Sequence, residues 1–213
     1  MFNRSLTEIL LTIPGILIGL VFHEFAHALT ADRLGDNTPR YQGRLTLSPL
    51  VHLDPIGLIL IIVAGFGWAK PVQINPRNLK SPRRDDAIIS LAGPLGNFVI
   101  AIIFAIILKI TSSINILNNM EATTWGNLQL IIHYTVSINV VLGIFNLLPI
   151  PPLDGSHLLE DITNVERFEF YHIIRQYSTI ILILIIATPI AGYIINPPVI
   201  FILNNLYGIL GII

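Results

Sequence analysis

Residues 6–31 read LTEILLTIPGILIGLVFHEFAHALTA, a stretch apolar and long enough to cross a bilayer as a helix. It contains HEFAH, which puts His23, Glu24 and His27 within five positions. Ionisable side chains inside a membrane span are costly, so three together indicate a function. Residues four apart share one face of a helix, so we expect His23 and His27 to hold one metal ion, usually zinc. Glu24 is then the candidate general base for a metal-activated water.

The composition of the chain is that of an integral membrane protein. Of its 213 residues, 53% are hydrophobic and only 12% are charged, whereas soluble domains carry about 25% charged residues. The mean hydropathy is +0.73. The chain has no cysteine, so any metal must be held by His, Asp or Glu. The charged run at 83–86 is typical of an anchor near anionic lipids and indicates no nucleic-acid partner.

The alternation of apolar and polar stretches predicts an all-α polytopic membrane protein. Three clean spans, at residues 6–31, 87–110 and 128–148, predict a three-span catalytic core. Two further apolar segments, at 173–195 and 199–213, predict a C-terminal helical pair, with a tight hairpin at Asn196-Pro197-Pro198. We expect one intramembrane domain over residues 1–213, with its core at about 6–160 and the helical pair at about 171–213.

The segment at residues 45–69 is apolar but too interrupted for a regular span. Pro49, Asp54 and Pro55 break it, and only residues 56–66 are continuously apolar. That run is about half of the roughly 20 residues that a crossing helix needs. It also lies between two basic stretches, which a full crossing would put on opposite sides of the membrane. A short re-entrant segment or a β-hairpin is therefore predicted, and its strand edge would suit an extended substrate.

The placement of charge predicts the orientation. Residues 32–86 hold eight of the 12 Lys and Arg residues, and residues 111–127 hold none. The positive-inside rule therefore assigns 32–86 to the cytoplasm and the 111–127 loop to the outside. HEFAH then lies nearer the cytoplasmic end of the first span, so the active site is expected toward the cytoplasmic side.

Two histidines leave a catalytic zinc one protein ligand short, since such sites usually have three. Asp154 is the best candidate, in NLLPIPPLDG at residues 146–155, where three prolines prevent a regular helix. Non-helical backbone is tolerated at membrane depth where it lines a cavity. His157 is an alternative ligand, although a polar residue at a helix start explains it as well. The competing interpretation of the whole set is a structural polar cluster.

Three motifs resemble the site-2 protease family: HEFAH in the first span, GPLGN at 93–97 in the second, and NLLPIPPLDG after the third. LSPLVHLDPIG at 47–57 and WAKPVQINPRNL at 68–79 are similar to the small prokaryotic members, and the resemblance runs from about residue 18 to 160. It implies an intramembrane zinc metallopeptidase of a bacterial or archaeal cell membrane, with one zinc per chain. His23, His27 and Asp154 would be the zinc ligands and Glu24 the general base. Asn146 would steady the substrate or the oxyanion.

The resemblance implies hydrolysis of peptide bonds in or near the transmembrane segments of membrane-anchored proteins. No segment is long enough for the PDZ or CBS domains of larger members, which puts their modes of regulation in doubt here. Asn97 and Asn139 are rivals to Asn146, although a buried Asn often bridges helices. The alternative function is a non-proteolytic, metal-binding membrane scaffold of the same fold. The sequence leaves a homo-oligomer open.

Overall fold

A computed structural model of the chain describes residues 5–64, 67–113 and 122–212, and these ranges are mainly helical. The α-helices are α1 (Leu6–Leu34), α2 (Thr38–Tyr41), α3 (Pro49–His52), α4 (Pro55–Ala64), α5 (Pro82–Ser113), α6 (Ala122–Asn146), α7 (Asp154–Thr163), α8 (Glu169–Gln176), α9 (Ser178–Ala187) and α10 (Ile190–Leu210). Short 3-10 turns lie at Pro76–Asn78 and Val165–Arg167. Within the described ranges no strand forms, and one antiparallel bridge joins Leu53 to Ala69. The all-α prediction is confirmed.

In the part of the chain that the structure describes, four helices are long and apolar enough to cross a membrane: Thr7–Leu34, Pro82–Ser113, Thr123–Asn146 and Ile190–Leu210. The pair α8 and α9, bent by 66°, would make a fifth span if it crosses as one unit. The chain is therefore a multi-pass membrane protein, and all three predicted core spans are present. Helix α1 is three residues longer than its apolar stretch and ends at Gly35, whose φ of 111° suits glycine.

Helices α1, α5 and α6 pack closely because glycines line their contacts. A Cβ at Gly15 would lie 2.8 Å from the Thr135 Cα of α6, and one at Gly19 would lie 2.8 Å from the Asn139 Oδ1. Gly15 and Gly19 are one turn apart on α1, the spacing at which small residues allow close packing of helices. Since small residues let backbones approach, side chains of α5 and α6 can reach the face of α1 that carries HEFAH.

The C-terminal helical pair forms, but the predicted hairpin at residues 196–198 is wrong. Helix α10 runs through Pro197 and Pro198, and the break between the pair lies at Thr188 and Pro189. Thr188 is extended, with φ −107° and ψ 163°, as the residue before a proline prefers. Inside a bilayer an open loop would leave backbone groups without water, so a span tolerates prolines that would end a helix in solution.

The segment at 45–69 forms short helices rather than the β-hairpin alternative, as far as it is described. The ten residues of α4 rise about 15 Å, half of the roughly 30 Å hydrocarbon core. The chain then returns, and the Lys70 N–H donates to the His52 carbonyl at 2.8 Å. A continuous apolar run favours helix in a membrane because a helix satisfies its own backbone. Residues 65–66, and residues 114–121 of the predicted outer loop, lie outside the described ranges.

Candidate metal centre

Three side chains predicted from sequence converge at one point between α1 and α7. His23 and His27 lie one turn apart on α1, and Asp154 is the first residue of α7, directly after the break at 147–153. The His23 Nε2 and His27 Nε2 atoms are 3.0 Å apart. The Asp154 Oδ2 lies 3.1 Å from the first and 3.4 Å from the second. Among the described residues no other group of three His, Asp or Glu side chains could hold one ion.

The hydrogen bonds around the two imidazoles make this cluster fit a cation. The His27 Nδ1 is 2.7 Å from the Ile89 carbonyl, and the His23 Nδ1 is 2.8 Å from the Asn97 Oδ1. Both partners accept, so each neutral ring carries its proton on Nδ1 and turns an Nε2 lone pair inward. Among the described residues, no group donates a hydrogen bond to the buried Asp154 Oδ2. A proton would bridge only one pair of the three facing atoms, the His23 Nε2, the His27 Nε2 and the Asp154 Oδ2, whereas a metal cation would contact all three.

The spacing of the three atoms also matches zinc. Tetrahedral ligands at about 2.0–2.1 Å from a zinc ion lie about 3.3 Å from each other. The three observed separations, 3.0, 3.1 and 3.4 Å, bracket that value. Two imidazoles and one carboxylate also leave a fourth position open, as catalytic zinc sites do.

Asn97, one of the two rivals to Asn146 in the sequence, fixes the ring orientation of His23. Its Nδ2 donates to the Gly19 carbonyl at 3.0 Å and to the Asn139 Oδ1 at 3.1 Å, which turns its Oδ1 toward His23. Asn139 in turn donates to the Thr135 carbonyl at 2.9 Å. Asn97 and Asn139 are fully buried. A chain of amides therefore crosses α6 and α5 and ends at the His23 imidazole, the kind of outer support that orients metal ligands.

Two glycines leave the room that the cluster needs. A Cβ at Gly93 of α5 would collide with the His27 Nε2 and lie 2.6 Å from the His23 Cε1. A Cβ at Gly155 would lie 2.5 Å from the Leu148 carbonyl oxygen. Gly93 thus lets α5 cross directly over the imidazoles, and Gly155 lets the first turn of α7 press against the preceding break. The first residue of the GPLGN motif therefore makes room for both histidines, and its last residue orients one of them, His23.

Glu24 is buried beside this cluster and held by a distant part of the chain. Its side chain follows His23 on α1, and the residue is 8% exposed. The Glu24 Oε2 accepts a hydrogen bond from the Val72 backbone N–H at 2.9 Å. Val72 lies in the non-helical stretch between α4 and the 3-10 turn at Pro76–Asn78. Sequence reasoning did not connect these residues, which are 48 positions apart.

The sequence profile of Peptidase family M50 matches residues 11–189. The chain belongs to peptidase family M50. This is the site-2 protease family, so the resemblance carried by the three motifs is confirmed, and with it a membrane zinc metalloprotease whose cofactor is Zn²⁺.

Several curated proteins are similar to this M50 chain over most of its length. The "Putative zinc metalloprotease YwhC" of Bacillus subtilis is 38% identical over 182 residues, 85% of this chain and 82% of its own length. The "Putative zinc metalloprotease Rip2" of Mycolicibacterium smegmatis is 33% identical over 84% of this chain and 68% of its own. A relative from Methanocaldococcus jannaschii is 27% identical over 74% of this chain and 73% of its own. No solved structure matches the chain.

The remaining predicted residues of the M50 chain are not among the three that converge. Asn146 is the last residue of α6, is half-buried, and donates to the Leu142 carbonyl of its own helix at 3.0 Å. His157 lies on α7 and is not among the three converging residues. His52 is fully buried and its Nε2 is 2.7 Å from the Thr46 carbonyl oxygen.

A second group of charges lies where α7 packs against the start of α5. Burial and the neighbouring Asp86 carboxylate raise the pKa of Asp161 to about 6, while Arg83 and His157 oppose the rise. Two carboxyl groups held together in this way favour one shared proton. Helix α7 therefore carries Asp154 at its first residue and the Asp161–Asp86 contact two turns later.

Proposed function

We propose that this M50 chain is an intramembrane endopeptidase that hydrolyses peptide bonds in or near the transmembrane segments of membrane-anchored proteins. One zinc ion is held by His23, His27 and Asp154. The observation that carries the proposal is the convergence of three lone-pair atoms, 3.0 to 3.4 Å apart, of which two lie on the membrane-spanning helix α1 and the third is on Asp154 of α7. A polar cluster at membrane depth is energetically costly, and such clusters therefore usually mark functional sites. Residues 1–213 form a single protease domain in this proposal.

Zinc in this position would supply a Lewis acid that polarises a scissile carbonyl and makes water a nucleophile near neutral pH. Glu24 is the general base. Its Oε2 is occupied by the Val72 N–H, which orients the carboxylate and leaves Oε1 to take a proton from the attacking water. The same carboxyl then delivers that proton to the leaving amine.

Asn146 is the proposed donor to the oxyanion of the tetrahedral intermediate. Its Nδ2 carries two N–H groups, and one of them serves the Leu142 carbonyl. Asn97 is less suited to this role, because its two N–H groups serve the Gly19 carbonyl and the Asn139 side chain. Neutral side-chain donors are common stabilisers of such oxyanions. The two asparagines therefore separate into a proposed substrate contact and a support for His23.

We also propose that the active site opens toward the cytoplasmic side. The support is the distribution of charge, since eight of the 12 basic residues lie in 32–86 and none lies in 111–127. A substrate helix must unwind near Glu24, because a helical segment keeps its carbonyls in its own hydrogen bonds. The non-helical stretch around Val72 lies beside Glu24 at this side.

The test measures zinc content and cleavage on the same detergent-purified samples. Wild type is expected to hold about one zinc per chain and to cut a single-span substrate. Glu24→Gln keeps the zinc and loses at least about 100-fold in rate, the contribution expected of a general base. His23→Ala and Asp154→Ala lose the zinc. Cleavage at the wild-type rate by Glu24→Gln would contradict the assigned base, and zinc retained by both ligand variants would contradict the metal site.

A further inference from the structure

Arg44 is a buried cation that the proposed reaction does not use. It is 4% exposed and lies between α2 and α3. Its Nη1 donates to the Val51 carbonyl at 2.6 Å and to the Lys70 carbonyl at 3.0 Å, and its Nη2 donates to the Pro71 carbonyl at 3.2 Å. Within the described ranges it has no carboxylate partner. A charge without a counterion is costly to bury, so these three carbonyl contacts need an explanation.

The three carbonyls lie on either side of residues 52–69, the excursion of the chain that contains α4. Val51 precedes it, and Lys70 and Pro71 follow it. The Lys70 N–H also donates to the His52 carbonyl, at 2.8 Å. The planar guanidinium fork therefore joins the outgoing and returning ends of residues 52–69 at one point. A lysine has no such fork and could not hold all three oxygens in this arrangement.

The link from Arg44 to the active site is one peptide group. The Pro71 carbonyl and the Val72 N–H belong to the same planar unit, and in a trans peptide they point in opposite directions. Arg44 holds the carbonyl side at 3.2 Å, and the Glu24 Oε2 accepts from the N–H side at 2.9 Å. Turning this unit away from Arg44 would turn its N–H away from Glu24.

We propose that Arg44 is a positioning residue for Glu24, acting through the Pro71–Val72 peptide. This inference rests on the proposed role of Glu24 as general base. The Arg44 contacts keep the Glu24 carboxylate oriented, so losing them lowers the rate of the chemical step and leaves zinc binding intact. Because Arg44 also holds the Val51 carbonyl, displacement of the 52–69 excursion reaches Glu24 by the same route.

The test is a double-mutant cycle on the zinc-loaded full chain, with kcat, KM and zinc content measured. Arg44→Ala and Val72→Pro, which deletes the donor to Glu24, are each expected to lower kcat by about 10- to 100-fold, the loss typical of a misplaced catalytic group. KM and zinc content stay at wild-type values. The double variant is at most about twofold slower than the less active single variant, because both changes break one pathway. Arg44→Lys, which keeps the charge, falls between wild type and Arg44→Ala.

Two matched controls separate this effect from general damage. Val72→Ala keeps the N–H and is expected to lose far less than Val72→Pro. Arg77→Ala removes an exposed basic residue from the same stretch and is expected to match wild type. If Arg44→Ala does not fold, Arg44→Lys and Val72→Pro complete the comparison.

Hydrogen exchange of the Val72 amide gives a readout that does not depend on activity. Pro71 and Pro76 have no amide proton, so a peptide covering 70–76 reports on few sites. Arg44→Ala is expected to expose the Val72 amide, and Arg77→Ala to leave it protected. Multiplicative rate losses in the double variant, or an amide that stays protected in Arg44→Ala, would overturn the inference. Failure of the proposed base is recognised separately, by full activity in Glu24→Gln.

Discussion

The three-helix core and the C-terminal helical pair are both apolar, but they differ in the kinds of side chain that they bury. The core encloses polar side chains that are fully buried, among them Asn97, Asn139 and Thr135. In α10 the buried side chains are Val199 and Tyr207, and α9 has none. Apolar residues of the pair are open to the surroundings, for example Phe201 at 69% and Ile209 at 84%. Hydrophobicity alone therefore marks a span, and polar burial distinguishes a span with a function from one that faces lipid.

The largest expected difference between the two regions comes from adding one methyl group to each. Gly93→Ala places a Cβ against both imidazoles, so we expect loss of stoichiometric zinc and of cleavage. Gly208→Ala in α10 is the matched control, because its Cβ would meet nothing within 4 Å. The control is expected to raise stability by up to about 1 kcal/mol, the helix propensity difference between Gly and Ala. Zinc analysis and thermal unfolding of both proteins measure the contrast; equal zinc content would contradict it.

Asn146, at the end of α6, gives a second test, which concerns the edge of the core. Asn146→Ala removes the proposed oxyanion donor, and we expect kcat to fall by about 10²- to 10³-fold, as for other oxyanion donors. Its zinc content and melting temperature stay near those of wild type, because the amide bonds only to its own helix in the described contacts. Steady-state cleavage assays with zinc analysis measure both quantities. A loss of zinc in step with activity would assign Asn146 to support of the metal instead.

Asn97 should show the opposite pattern. Asn97→Ala removes the acceptor that holds the His23 Nδ1–H and leaves the Asn139 Oδ1 without the donor that Asn97 supplies. We expect zinc affinity to fall by about 10- to 100-fold, as for other groups that orient metal ligands. Asn205→Ala in α10 is the control, since its side chain is exposed and donates to the Phe201 carbonyl of its own helix. Competition with a zinc chelator ranks the proteins; equal affinities would remove Asn97 from the site.

Short local motifs in the sequence predicted the residues that converge, because the motifs place the side chains at helical spacing or next to a break in a helix. HExxH puts two ligands on one face, and the prolines before Asp154 mark a broken helix at membrane depth. The supports of the site could not be predicted in this way. The bonds from Asn97 to His23 and from Val72 to Glu24 join residues 74 and 48 positions apart. The hairpin at Pro197-Pro198 was wrong for the converse reason: a strong local turn signal was outweighed by the cost of open backbone in lipid.

The smallest expected effect concerns α7, which joins the core to the rest of the chain. The pKa of Asp161 is raised to about 6 by burial and by Asp86, so folding favours its protonated form. The contribution to stability is present at low pH and is lost as the pH rises through about 6. Wild type should therefore unfold more easily at pH 7 than at pH 5, and Asp161→Asn should flatten that part of the curve. Glu169→Gln, on α8, controls for removing one carboxylate.

Chemical unfolding in detergent across this pH range measures the effect on α7. His157 lies near Asp161 and opposes the rise of its pKa, so the comparison is repeated in a His157→Gln background. In that background, adding Asp161→Asn is again expected to flatten the pH dependence of unfolding, because the contact between Asp161 and Asp86 is present until that substitution is made. An unchanged slope in Asp161→Asn would mean that the Asp86 contact does not carry a shared proton. In that case α7 would be held to α5 by its apolar contacts and by the Arg83 hydrogen bond to the Glu160 carbonyl, 2.9 Å long.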